Sequence, residues 1–194
     1  MPKIILASAS PRRAVLCREA GIAVQIDPAD VRETPRPRED PAFYAQRVAR
    51  HKAEAVAKRR AARGERPWVI GADTVVVADG WKILRKPRDR ADARRMLRLL
   101  LGKTHHVLTG LCVTRSGGPF RTRVVDTMVA FMEESLVDLD AYLDSDEWRD
   151  KAGAYAVQGL AGARLVASIY GSYTNVVGLP VAELRQLLTE LDVL

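Results

Sequence analysis

Apolar and polar positions along the chain change period several times, and each change marks an element. Residues 3–7 (KIILA) are a short apolar run, read as a buried strand. It leads into Ser8-Ala9-Ser10-Pro11 and an amphipathic helix, with Ser10 placed as N-cap and Pro11 as first helical residue. A second strand is expected at 22–26. Pro28, Pro35 and Pro37 then hold the chain in a loop. Asp40 caps a helix running to about Ala62, with Phe43, Tyr44, Val48, Ala55 and Val56 as its apolar stripe. Residues 68–78 form a long strand. Asp79-Gly80 is read as a two-residue turn and 81–84 as the return strand. Asp89 opens a helix in which Ala93, Met96, Leu97, Leu100 and Leu101 keep the helical period. Residues 105–115 and 120–131 are two long strands around Ser116-Gly117-Gly118-Pro119. A helix at 136–143, two or three short strands between 154 and 177, and a helix carrying Leu184, Leu187, Leu188 and Leu191 complete the pattern.

Hairpins and strand–helix alternation occur together, so the class is α/β with a mixed sheet. At 194 residues and 47% apolar, with no repeat, low-complexity tract or linker, residues 1–194 are read as one domain. No apolar run approaches the ~18 residues of a membrane span, and the apolar start is too short for a signal peptide. Cys17 and Cys112 have neither metal nor redox spacing, which favours a reducing cytoplasm. Charge is uneven: residues 1–103 hold 24 Lys+Arg against 12 Asp+Glu, and the remainder 7 against 12. A basic half suits nucleic acid, a polyanionic small ligand, or merely a solvated arginine-rich face such as KRRAAR at 58–63.

Three stretches carry polar groups that folding alone does not call for. The first is LASASPRR, where Arg12 and Arg13 sit in a first helical turn whose dipole favours acids. Free backbone N–H groups, the hydroxyls of Ser8 and Ser10 and two guanidinium forks suit a phosphate there. In the second, Asp73 interrupts an apolar strand, and a buried carboxylate needs a cation, a metal or proton traffic. With a two-residue turn at 79–80, cross-strand register sets Asp73 opposite Lys86 on one face. Lys52 falls on the apolar stripe of its helix and so points into a cleft or snorkels outward. Glu33 lies in a proline-bounded loop, where an acid is ordinarily solvated. The third stretch, 150–180, is glycine-rich. Gly153, Gly159, Gly162, Gly171 and Gly178, with Gly110 upstream, would let backbone approach a ligand, and Gln158 at a strand end could read a base edge.

The runs LASASPRR, GADTVVV…DG…KPRD, DKAGAYAVQG and GSYTNVVGLP, in that order from Ile4 to about Leu188, resemble the signatures of the Maf family. The resemblance implies a mixed, twisted sheet flanked by helices in two lobes around a cleft, similar to the inosine-triphosphate pyrophosphatase fold. It implies hydrolysis of a nucleoside triphosphate between the α and β phosphates, with a divalent metal (Mg²⁺ or Mn²⁺), in a homodimer. It assigns the phosphates to Ser8, Ser10, Arg12, Arg13, Lys52 and Lys86, proton acceptance to Asp73, and the metal to Glu33 and Asp73. Arg12, Thr74 and Gln158 fall at the positions that separate subgroups. Their set is similar to the branch acting on dTTP and UTP, with CTP or modified pyrimidine nucleotides as further candidates. The branch acting on 7-methyl-GTP has an aromatic, a glutamine and a glutamate there. Asp146-Glu147-Trp148-Arg149 departs from the family pattern, where relatives have a short stretch with Gly or Pro.

On charge, the lysines are expected to keep the Asp73 carboxyl low. A nucleic-acid-binding module would account for the basic half but leaves Asp73, Glu33 and Gln158 unexplained. A regulatory role in cell division would require a partner surface. Neither GxxxxGK[ST] nor GxGxxG occurs, which disfavours a P-loop or Rossmann enzyme.

Overall fold

The protein is described by a computed structural model over residues 3–194. Strands β1 (Ile4–Leu6), β2 (Gln25–Ile26), β3 (Trp68–Ala78), β4 (Lys82–Leu84), β5 (Thr104–Thr114), β6 (Phe120–Phe131) and β7 (Val166–Tyr170) make one mixed sheet. Its order is β2-β1-β3-β5-β6-β7, with β4 beside β3. Helices α1 (Pro11–Glu19), α2 (Pro41–Ala61), α3 (Arg90–Leu100), α4 (Leu139–Asp144), α5 (Leu160–Arg164), α6 (Tyr173–Val177) and α7 (Val181–Glu190) occupy the connections. β1 pairs in parallel with β2 and β3, as βα units require, whereas β3–β4 and β6–β7 are antiparallel.

The chain divides into two compact units. One comprises the chain as far as Asp73, Thr109–Val125 and Gly178–Leu194; the other comprises Thr74–Leu108 and Asp126–Val177. In the first unit, α2 lies directly on strand backbone. A Cβ on Gly71 would stand 2.1 Å from Ala49 O, and one on Gly110 would stand 2.3 Å from Ala45 O. These two positions admit only glycine, because the helix backbone fills the space a side chain would take. Gly110 therefore makes room for a helix rather than for a ligand. Around the contact, Ile5, Ala49, Ala53, Val56, Val69 and Cys112 are closed to solvent. In the second unit, Leu97, Leu100, Val129, Tyr142, Leu143 and Trp148 centre the core.

Several local expectations change. Phe43 is 70% exposed and Ala55 is half-buried, so the buried stripe of α2 is instead Tyr44, Ala45, Val48, Ala49, Lys52, Ala53 and Val56. The loop between β3 and β4 has three residues, with Gly80 (φ 70) and Trp81 (φ 59) both left-handed. The register is Val76↔Leu84 and Ala78↔Lys82, one position off the expected one, and β4 ends at Leu84. Lys86 is thus not the cross-strand partner of Asp73. A one-residue change in a turn shifts every pair beyond it. The expected helix at 136–143 begins as a 3₁₀ turn, Glu134–Leu136, and becomes α4 after Asp138 caps it through Ala141 N. Between 154 and 177 only β7 is a strand; α5, α6 and irregular backbone take the rest. Gln158 accordingly lies in an exposed bend before α5, not at a strand end.

Candidate active site

The first unit assembles the candidate residues from four local structures. α2 starts cleanly because Asp40 accepts hydrogen bonds from Ala42 N and Phe43 N. Its helical period then sets Lys52 on the buried stripe, three residues from Ala49 and one from Ala53, both packed over Gly71. Asp73 is two residues beyond Gly71 on β3 and so shares its strand face. The outcome is an ion pair of 2.7 Å between Lys52 Nζ and Asp73 Oδ1, with both residues buried. Lys52 does not snorkel.

Glu33 comes to the same ammonium from the proline-bounded loop, with Oε1 2.7 Å from Lys52 Nζ. That loop is tied down. Tyr44 Oη donates to Glu33 O at 2.9 Å, and Arg47 grips the Glu39 carboxylate from Nε and Nη2 at 2.6 and 2.7 Å. Arg47 Nη2 also donates to Thr34 O. The Arg47 fork holds the Glu39 carboxyl well below the usual carboxylate range, at about 2. Sequence reading had no signal for this clamp, since eight residues separate its partners across a loop–helix junction.

The two arginines of α1 part company. Arg12 is half-buried, and among the described residues its guanidinium has no ion pair or hydrogen bond. Arg13 is buried and donates from Nε to Gly178 O at 2.7 Å and from Nη1 to Ala72 O at 2.9 Å and Ser8 Oγ at 3.0 Å. Ser10 occupies the N-cap position, but its side chain does not cap the helix. Its backbone N–H instead donates to Ser8 Oγ at 3.2 Å.

Burial governs the protonation of this group. It pushes the Asp73 carboxyl up from the ordinary carboxylate range, and Lys52 and Arg13 only partly pull it back. The expectation that the lysines keep it low is therefore corrected: desolvation of a nearly closed carboxylate outweighs them. Burial likewise lowers Arg13, against the attraction of Asp73. A raised carboxyl beside a fixed cation is a better proton acceptor than a solvated one.

The second unit holds the remaining sequence-derived positions. Thr74 directly follows Asp73 on β3. Lys86 is exposed, and among the described residues it forms no ion pair. The stretch Asp146-Glu147-Trp148-Arg149 is an anchored turn: Trp148 is buried and its Nε1 donates to Leu143 O at 2.9 Å, while the Glu147 carboxylate accepts from Leu160 N at 2.9 Å. Gly153 and Gly171 approach Val76 and Thr127, so these glycines serve internal packing rather than close contact with a ligand.

The family model described as Maf-like protein matches residues 3–191. The chain belongs to the Maf family. Among its relatives in that family, a protein of Chelativorans sp. (strain BNC1) named dTTP/UTP pyrophosphatase is 48% identical, over 96% of this chain and 90% of its own. Proteins of the same name from Rhodopseudomonas palustris (strain HaA2) and Brucella abortus (strain 2308) are 48% and 46% identical, over 96% and 97% of this Maf-family chain and 91% of each relative. A solved nucleoside-triphosphatase (dITP/XTP pyrophosphatase) from Mycobacterium abscessus aligns with TM-score 0.42 and 13% identity, covering 66% of this chain and 74% of its own. So loose a likeness adds nothing to the family match.

Proposed function

We infer that this chain is a nucleoside triphosphate pyrophosphatase that hydrolyses dTTP and UTP to the monophosphate and pyrophosphate. The relatives' names support the substrate class, and Arg12, Thr74 and Gln158 keep the residue types the family likeness links to that branch. The observation that carries the chemistry is the convergence of Asp73 and Glu33 on Lys52 Nζ. Lys52 and Asp73 are buried on α2 and β3 and the half-exposed Glu33 reaches them from its loop, a charge-dense point that suits a reaction depending on positioning and electrostatics.

In this reading a water attacks the α-phosphorus, the α–β anhydride bond breaks, and pyrophosphate departs. Asp73 takes the proton from the attacking water. Lys52 fixes the Asp73 carboxylate and offsets charge on the phosphates. Arg12 and, by the family likeness, Lys86 hold the polyphosphate, and Ser8 and Ser10 offer hydroxyls to it. Glu33 and Asp73, both beside Lys52 Nζ, are the oxygen donors that suit a hard divalent cation such as Mg²⁺ or Mn²⁺, which is held by one or two carboxylates plus waters and substrate phosphates. Glu33 and Asp73 would hold it, and when bound it would neutralise charge on the phosphate oxygens.

The likeness also assigns a homodimer, and the cysteine usage a cytoplasmic setting. No described helix is long and apolar enough to cross a membrane, and Cys17 and Cys112 are free, buried thiols that suit reducing conditions. Nothing favours a nucleic-acid-binding role: in the basic run at 58–63, Arg59 and Arg60 are engaged by Asp27, and Arg60 also by Glu65.

The test is product analysis with dTTP, UTP, CTP and 7-methyl-GTP, measuring pyrophosphate and orthophosphate separately. Pyrophosphate from dTTP and UTP, with little turnover of 7-methyl-GTP, is the expected result. Orthophosphate as first product, or no turnover, would refute the assignment.

A further inference from the structure

The family likeness gives both arginines of α1 to the phosphates, but the hydrogen bonds divide them. An arginine has five N–H donors, one on Nε and two on each terminal nitrogen. The Nε donor and the two contacts of Nη1 in Arg13 go to Gly178 O, Ala72 O and Ser8 Oγ, all within the protein. Each acceptor has a consequence. The carbonyl of Ala72 belongs to the peptide that joins Ala72 to Asp73, so this contact pins the backbone at the proposed proton acceptor. Ser8 Oγ accepts from Arg13 Nη1 and also from Ser10 N at 3.2 Å. A hydroxyl has two lone pairs and one hydrogen. With both lone pairs engaged, Ser8 is left with its proton to give, and it is fixed as a donor.

We propose that Arg13 is a positioning residue rather than a phosphate ligand: it sets Ser8 as a hydroxyl donor and locks the Ala72–Asp73 peptide, while Arg12 is the arginine of this pair that grips phosphate. The proposal rests on the pyrophosphatase reading and assigns roles within that site. It also accounts for a basic residue in the first turn of α1. The oxygens of Ala72, Gly178 and Ser8, together with the charge of Asp73, oppose the dipole and offset part of the desolvation. Lysine cannot replace it, because a single ammonium on a flexible stem does not reproduce a planar fork spanning three acceptors.

The experiment compares Arg13→Lys and Arg12→Ala with the wild type, in dTTP kinetics and in calorimetric binding of inorganic pyrophosphate. Loss of positioning lowers kcat and leaves ground-state binding in place; loss of a phosphate grip does the reverse. Arg13→Lys is expected to lower kcat by about tenfold or more with KM and pyrophosphate affinity within about twofold, whereas Arg12→Ala weakens pyrophosphate by about tenfold. Arg13→Lys weakening pyrophosphate as much as Arg12→Ala would overturn the proposal. If Arg13→Lys does not fold, the wild type decides by nitrogen-15 spectra of the arginine side chains. The Arg13 Nε–H signal should be protected from solvent exchange and unmoved by saturating pyrophosphate, while the Arg12 signal moves. An Arg13 shift as large as that of Arg12 would overturn the proposal. A wild type that cleaves neither dTTP nor UTP would sink the underlying reading itself, and shows this before any variant is compared.

Discussion

Lys52 Nζ lies 2.7 Å from Asp73 Oδ1 with both residues buried, so each charge is the other's chief compensation. Removing one partner of such a pair strands the other, at a cost of about 3–5 kcal/mol. Lys52→Met should therefore destabilise the protein strongly at neutral pH and abolish turnover. The pH dependence has a definite sign. Burial already raises Asp73, and loss of Lys52 raises it further. A carboxyl with a raised folded-state pKa is stabilising while protonated and loses that contribution as pH rises through the folded value. The deficit of Lys52→Met relative to wild type should thus be larger at pH 8 than at pH 5 in urea unfolding. Equal deficits at both would contradict the pairing.

Gly71 is a packing requirement of the site. Its added Cβ would stand 2.1 Å from Ala49 O and 2.9 Å from Ala53 N, which are helix backbone and cannot swing away. Gly71→Ala should cost about 2 kcal/mol or more, in the range of overpacked cores. It should also lower kcat, by moving α2 and Lys52 off Asp73. Urea unfolding and dTTP kinetics read both effects; wild-type stability in the variant would show that α2 does not rest on this strand.

Arg47 holds the Glu33 loop without belonging to it. Arg47→Ala removes the grip on Glu39 and the bond to Thr34 O. Activity should fall by about tenfold or more, since misplacement of a catalytic group by a fraction of its reach is costly. The melting temperature should fall as well, because the Arg47 and Glu39 side chains are only 15% and 9% exposed and the variant leaves a mostly buried carboxylate without its cation, so kinetics are read well below the transition. Unchanged kcat and KM would remove the clamp from the account.

His105 makes the fold acid-sensitive. Its Nε2 lies 2.7 Å from Tyr155 Oη, Phe131 and Tyr155 flank its ring edge-on, Nδ1 has no hydrogen-bond partner among the described residues, and burial pushes its pKa down to about 4. The neighbouring His106 adds to the same direction. The unfolded chain takes up this proton near its ordinary value of about 6.5, so stability falls as pH drops from there towards 4. The full contribution is about 3 kcal/mol. His105→Gln should flatten the stability profile between pH 7 and 4.5. A wild-type profile already flat there would show that His105 is not the group responsible.

Much of the fold follows from period and punctuation. The long strands β3, β5 and β6, the caps Asp40 and Asp89, and the amphipathic faces of α3 and α7 are written locally, and the structure has them. Lys52 and Asp73 were legible as misfits, a charge on a buried stripe and a charge in an apolar strand. Their mutual contact was not. It depends on Gly71 and Gly110 letting α2 rest on the sheet, and no periodicity reports the crossing point of a helix over a strand. The Asp73–Lys86 pairing failed because Trp81 takes a left-handed φ and lengthens the turn by one residue, which its residue type does not advertise. Of the two or three short strands expected in 154–177 only β7 forms, for a similar reason: brief apolar runs between glycines suit one helical turn as well as a strand. Trp148 read as a departure from pattern and turned out to be an anchor in the core.

The most direct test of the central claim, that Asp73 serves a water attacking the α-phosphorus, is hydrolysis of dTTP in oxygen-18 water by the wild type and by Asp73→Asn. The wild type should place the label in the nucleoside monophosphate and leave pyrophosphate unlabelled. Asp73→Asn, folded by circular dichroism, should lose about 10²–10⁴-fold in kcat, the range for a lost general base. Label in pyrophosphate, or an Asp73→Asn enzyme as fast as the wild type, would contradict the account.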